Sequence, residues 1–146
     1  MGTNPSTLQI AVSSVVSASL TDITVRRDTK VLTIEETPGI NIGLPAQELT
    51  EEFAVGESTF SFLSQWTIPI ECYAWGEDQE TSFINNAALV RSLTNVLRRT
   101  VNRQINGAAV MSRVLDGSPI DPDKGAIGFM SGYLVTLEAD VYEGQT

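Results

Sequence analysis

A strictly alternating segment, QWTIPIECYAW at residues 65–75, constrains the fold of this chain most. Apolar side chains fall on one face of the segment and mostly polar ones on the other, which is the two-residue period of a half-buried strand. The apolar face consists of Trp66, Ile68, Ile70, Cys72 and Ala74. Pro69 has no N–H for a ladder bond, so we expect a sheet edge or a bulge there.

The segment at residues 81–106 changes to a helical period. Thr81 or Ser82 is expected to cap its N-terminus, and Asn106-Gly107 supplies a stop signal. An apolar stripe at helical spacing is formed by Leu89, Leu93, Val96, Leu97, Val101 and Ile105. We therefore predict one long helix that packs this stripe on the sheet.

The remaining segments have weaker patterns. A first helix is favoured from Pro5 to about residue 19, although its β-branched and serine content also partly fits a strand. We predict strands at 30–36, 109–115 and 133–143, a turn-rich connection at 37–47, a hairpin at 48–62 and a long loop at 116–132. The expected fold is one α+β domain over residues 1–146, a mostly antiparallel sheet with one long and one shorter helix on one face, a β-hairpin and long loops.

Composition excludes several kinds of chemistry. The 146 residues include one cysteine and no histidine, which removes internal disulfides, Ser-His-Asp and Cys-His catalysis and the usual imidazole metal sites. Eighteen acidic residues against nine basic ones give a formal charge of −9. A free chain of this charge should not bind nucleic acid or anionic membranes.

Candidate catalytic groups have simpler structural explanations. Cys72 lies on the apolar face of its strand beside Glu71, which disfavours a thiolate, so we expect a buried core residue. The pairs Glu51-Glu52, Glu77-Asp78 and Asp121-Asp123 occur in polar surroundings and are expected to be solvated or to complement a helix end. The sequence DPDKG at 121–125 lacks the later ligands of a calcium loop and is expected to form a turn. We therefore expect no catalytic residue, no metal and no cofactor.

Arginines on the long helix are the strongest candidates for an interaction surface. Four of the nine basic residues, Arg91, Arg98, Arg99 and Arg103, fall on its polar side. They either form a solvated face that complements the helix dipole or contact an acidic surface of another subunit. The segment QELTEEFAVGE at 47–57 would suit them through its carboxylates Glu48, Glu51, Glu52 and Glu57. Complementary patches on one chain favour a head-to-tail contact, which closes into a ring when the rotation allows.

The order of elements resembles the tail terminator, or tail-completion, proteins of long-tailed bacteriophages. The resemblance rests on GLPAQEL (43–49), on WTIPIECYAWGEDQETSFINNAALVRSLTNVLR (66–98) and on GYLVTLEADVYEG (132–144). In that family an N-terminal helix and a strand lead to a Leu-Pro segment. A strand then follows that ends in an aromatic residue and a glycine or acidic turn. A long helix and a closing strand follow.

This resemblance implies a non-enzymatic virion protein made in the host cytoplasm. It would form a hexameric ring at the head-proximal end of the tail tube, stop tube polymerisation and join the head connector or stopper protein. DNA would pass through the lumen during ejection, and carboxylates there, with Glu77, Asp78 and Glu80 as lumen or interface candidates, would repel phosphate. The segments 37–64 and 116–132 would contact neighbouring subunits or rings, and no membrane is involved. Two alternatives stay open: another neck or tube protein such as a head–tail stopper, and a small ligand-binding α+β domain.

Overall fold

Two α-helices and one seven-stranded sheet make up residues 5–27, 34–47, 60–125 and 127–145, which the computed structural model describes. The helices are α1 (Pro5–Ser19) and α2 (Gln79–Arg98), and short 3-10 turns occur at Ile34–Glu36 and Thr100–Asn102. The strands are β1 (Thr24–Arg27), β2 (Gly39–Ile42), β3 (Ala46–Gln47), β4 (Phe60–Gly76), β5 (Met111–Val114), β6 (Ser118–Gly125) and β7 (Gly128–Gln145).

The sheet is centred on the antiparallel pair β4 and β7, which runs from Phe60 opposite Gln145 to Gly76 opposite Phe129. The strand order is β1-β2-β4-β7-β5, with β3 paired to β4 and β6 paired to β7. Only β1 and β2 run parallel among the described strands. The predicted α+β class with a mostly antiparallel sheet is confirmed.

The core lies between one face of this sheet and both helices. The apolar face predicted for β4 is confirmed, because all five of its side chains are at most 5% exposed. Side chains of α1 and α2 join them in a single cluster that includes Leu8, Val12, Val16, Leu89, Leu93 and Val96. Burying each such side chain stabilises the fold by about 1.5–3 kcal/mol. The helical interpretation of the first segment is therefore correct.

Helix α2 is shorter than predicted and shifted towards the N-terminus. It begins at Gln79 because Asp78, and not Thr81 or Ser82, is the N-cap: a carboxylate oxygen of Asp78 accepts the Thr81 N–H at 2.6 Å. A carboxylate at this position satisfies a helix N–H that has no partner within the helix.

The C-terminal end of α2 also differs from the prediction. The helix stops at Arg98, and Val101 of the predicted stripe is 84% exposed. Ile105 is buried nevertheless, because the chain reverses through positive φ angles of 50° at Ile105 and 53° at Asn106. The Asn106-Gly107 stop signal therefore ends this turn and not the helix.

Two segments predicted as loops contain strands. Within 37–47, strand β2 is buried at all four positions, so it shows no alternation. Within 116–132, β6 forms a hairpin with the start of β7 despite its prolines and aspartates. Backbone pairing to β7 supplies the stabilisation that local composition does not indicate.

Other predicted elements are only partly described. Residues 34–36 of the strand predicted at 30–36 form a 3-10 turn, in which Glu36 pairs with Arg26. Residues 48–59 of the predicted hairpin lie outside the described residues, and 60–62 belong to β4. The strands predicted at 109–115 and 133–143 are confirmed as β5 and β7.

Strand β4 has partners on both sides, so the edge predicted at Pro69 is only local: on one side Pro69 has no ladder partner. On this side of β4, strand β2 pairs with residues from Ile70 onwards and strand β3 pairs with residues up to Thr67. Pro69 lies in the gap between these two pairings. The Pro69 carbonyl accepts the Gly43 N–H at 2.8 Å on this side. Because the N–H and C=O of a strand residue point the same way, the N–H that proline lacks would face the gap between β2 and β3, where no ladder bond is needed.

Candidate functional site

A groove of about 450 Å³ runs along α2 on the side of the β6–β7 hairpin. One wall of the groove is formed by residues 83, 87, 90 and 94 of α2, which are spaced three or four apart and therefore lie on one face of the helix. This face is adjacent to the face that packs into the core. The opposite wall comes from the hairpin, where Pro119 of β6 pairs with Tyr133 of β7. Phe83 is 46% exposed at this groove, and Ile84 beside it is 61% exposed. The groove therefore presents apolar surface to solvent.

The predicted arginines do not form one stripe. Arg91 and Arg98 line the apolar groove, whereas Arg98 and Arg103 also border a smaller cleft of about 210 Å³ beside Arg113. Arg99 is the C-cap of α2, and its backbone N–H bonds to the Val96 carbonyl. All four are exposed. Arg91 and Arg98 are thus the two arginines that the fold combines with apolar surface.

The predicted acidic partners fall in two places. Glu48, Glu51, Glu52 and Glu57 lie outside the described residues. Glu77, Asp78 and Glu80 are exposed at the N-terminus of α2. Hydrogen bonds from Thr81 lower the pKa of Asp78, so its carboxylate is engaged by its own helix.

A polar cluster that the sequence did not reveal fastens α2 to the sheet. The Asn86 amide donates to the carbonyls of Ser131 at 2.6 Å and Cys72 at 3.3 Å, and the Ser82 and Ser131 hydroxyls lie 2.6 Å apart. All three polar side chains are buried, and no described group donates to Asn86 Oδ1. These bonds fix the helix wall of the groove relative to its strand wall.

Gly76 is required at the joint between β4 and α2. A Cβ atom there would lie 2.8 Å from the Cα of Ser82 and closer still to its backbone nitrogen. These atoms belong to the backbone, which cannot relieve the clash by a change of rotamer as a side chain can. Any larger residue at position 76 would therefore displace the start of α2. This close approach explains the glycine in the sequence AWGED at 74–78.

Cys72 is a core residue, as predicted. Its side chain is fully buried, and burial together with the charge of Glu71 raises the pKa of the thiol to about 12. A thiolate nucleophile requires the opposite shift. On the other sheet face, burial and the hydrogen bond from its hydroxyl to Glu71 raise the pKa of Tyr73.

An ionic cluster on the open face of the sheet was also not predicted. The Arg113 guanidinium bonds Asp140 at 2.9 Å and Glu138 at 2.6 Å, across the β5–β7 pair. Hydrogen bonding to Asp140 raises the pKa of Arg113. Such a partly exposed cluster contributes about 0.2–1 kcal/mol per pair and mainly orients the edge strand β5.

Among the described residues, no group of three or more Cys, Asp or Glu side chains is placed to hold a metal ion. Asp121 and Asp123 lie in strand β6, so the turn predicted for 121–125 is wrong over most of its length. No helix within the described ranges is long and apolar enough to cross a membrane.

No protein-family model matches the chain, and no curated protein matches it.

Proposed function

We propose that this chain is a structural subunit of a phage neck, a tail-terminator-like protein that forms a ring on the head-proximal end of the tail tube. In this role it would stop tube growth, join the head connector and let DNA pass through its lumen. The observation that supports the proposal is the exposed apolar groove with Arg91 and Arg98 on α2, since exposed apolar surface of this kind is typical of protein–protein contact sites.

The order of the described elements supports the same role. A first helix, a long strand that ends at Trp75-Gly76, a long helix and a closing strand occur in the order that the resemblance requires. Helix α2 contains 20 residues, which disfavours the more purely β head–tail stoppers. The excess of carboxylates agrees with a lumen through which DNA must slide without binding.

Native mass spectrometry of the purified full chain, alone and with tail tubes of the phage that carries it, tests this proposal. We expect a closed ring, with six subunits as the leading number, either free in solution or only on tubes. A chain that stays strictly monomeric in both conditions contradicts the proposal.

A further inference from the structure

We infer that the groove between α2 and the β6–β7 hairpin receives the acidic segment 48–57 of a second copy of this chain. The inference rests on the proposed ring and names the contact that would hold it together. It concerns the groove defined by Phe83, Ala87, Val90, Arg91, Arg98 and Tyr133.

The chemistry of the segment matches that of the groove. The sequence ELTEEFAVGE at 48–57 carries four carboxylates and three larger apolar residues, Leu49, Phe53 and Val55, with no basic residue. The lining of the groove combines apolar side chains, among them Phe83, Val90 and Tyr133, with the two arginines Arg91 and Arg98. Apolar anchors in a pocket supply most of the affinity of such contacts, and charges at the border set orientation and association rate.

Chain length requires that a segment occupying the Asn86 end of the groove, where Ala87 also lies, come from another copy. Gln47 is paired with Trp66, and Phe60 is where β4 begins. The Asn86 end of the groove is level with Cys72, six positions after Trp66 and twelve after Phe60. A path from Gln47 to that end and back to Phe60 would therefore cross about 18 strand positions, or about 60 Å at about 3.3 Å per residue. The connecting chain spans at most about 45 Å.

A contact of this kind joins different surfaces of two copies, and each copy keeps a free groove and a free segment. Head-to-tail contacts of this type generate rings when the rotation closes. The groove and the segment would thus be the two halves of one repeated interface.

Disulfide trapping in the full-length assembled protein tests the contact. One protein carries Phe53→Cys and is mixed with a second that carries Ala87→Cys in the groove. The matched control is Ala88→Cys, an equally exposed neighbour that lines the cleft on the other side of α2. Native Cys72 is fully buried and contributes no background.

We expect the Ala87→Cys protein to form covalent dimers with the Phe53→Cys protein at least about tenfold faster than the Ala88→Cys protein does. Equal rates, or no dimer with Ala87→Cys, overturn the inference. If rings form without this difference, the inference fails and the proposed function stands. If the specific dimer forms but rings never do, the contact stands and the proposed function fails.

A charge reversal gives an independent measurement of the same contact. Arg98→Glu should weaken self-association by about five- to tenfold, since it replaces an attractive charge pair by a repulsive one. Arg99→Glu, at the next position and outside the groove, should change it by less than about twofold. Equal effects of the two substitutions contradict the groove as the docking site.

Discussion

Replacing Asn86 by alanine tests whether the buried polar cluster fixes α2 on the sheet. The substitution removes two hydrogen bonds, to the Ser131 carbonyl at 2.6 Å and to the Cys72 carbonyl at 3.3 Å. At about 0.5–1.5 kcal/mol for each bond, the loss is about 1–3 kcal/mol. Two effects offset part of it: Asn86 Oδ1, which no described group satisfies, is removed, and alanine has the higher helix propensity.

Asn95→Ala is the matched control, because Asn95 is an exposed asparagine of the same helix. The gain in helix propensity is common to both variants and cancels in their comparison. We expect Asn86→Ala to be less stable than Asn95→Ala by about 2 kcal/mol, or about 4–8 °C in Tm.

Urea unfolding followed by tryptophan fluorescence measures this difference, at a protein concentration where the chain is monomeric. If the two variants agree within about 0.5 kcal/mol, the cluster does not hold the helix and the rigidity we assign to the groove walls is wrong. A larger m value in Asn86→Ala alone would instead indicate a change in the denatured or native compactness.

Three further predictions address the core, the thiol and the helix cap. Leu93→Ala should lower the free energy of unfolding by about 2–5 kcal/mol because Leu93 is fully buried, whereas Ile84→Ala at an exposed position should change it by less than about 0.5 kcal/mol; equal effects in urea unfolding would contradict the packing of α2. Cys72 should react with an aromatic disulfide reagent at pH 8 only after urea is added, since its side chain is fully buried and this burial raises the pKa of the thiol; fast labelling of the native chain would show that it is accessible. Hydrogen bonds from Thr81 lower the pKa of Asp78 in the folded chain. The stabilisation of the fold by the Asp78 carboxylate is therefore complete above the unfolded pKa of about 3.9 and is lost as pH falls through the folded pKa. The stability advantage of the wild type over Asp78→Asn at pH 6 should therefore shrink at pH 3, and an advantage that is equal at both pH values would exclude a charge-dependent cap.

The sequence correctly predicted those elements that bury one face and expose the other, because such elements have a periodic pattern of apolar residues. Strand β4 alternates apolar and polar residues because only one of its faces is in the core. Strand β2 was missed because it is buried at every position, which leaves no period to detect. Strand β6 was missed because Pro119, Pro122 and two aspartates suggest a loop, and its structure depends on pairing with β7.

The C-terminal end of α2 and the groove could not be predicted from the sequence either, because both depend on tertiary contacts. Helical spacing continues through Val101 and Ile105, but the chain turns after Arg98 and buries Ile105 by a different path. The groove requires β6 beside α2, and the placement of a mispredicted strand could not be anticipated. Asn86 and Ser82 are ordinary polar residues in a helical sequence, and only the position of Ser131 opposite them gives them a structural role.

Negative-stain imaging of tail tubes mixed with the purified chain tests the central claim most directly. The tubes should come from the phage that we propose as the source of this chain and should lack their own terminator. We predict a ring of sixfold symmetry at one end of each tube, with no further tube growth from that end. Bare tube ends, together with a chain that stays monomeric in the mixture, would contradict the account.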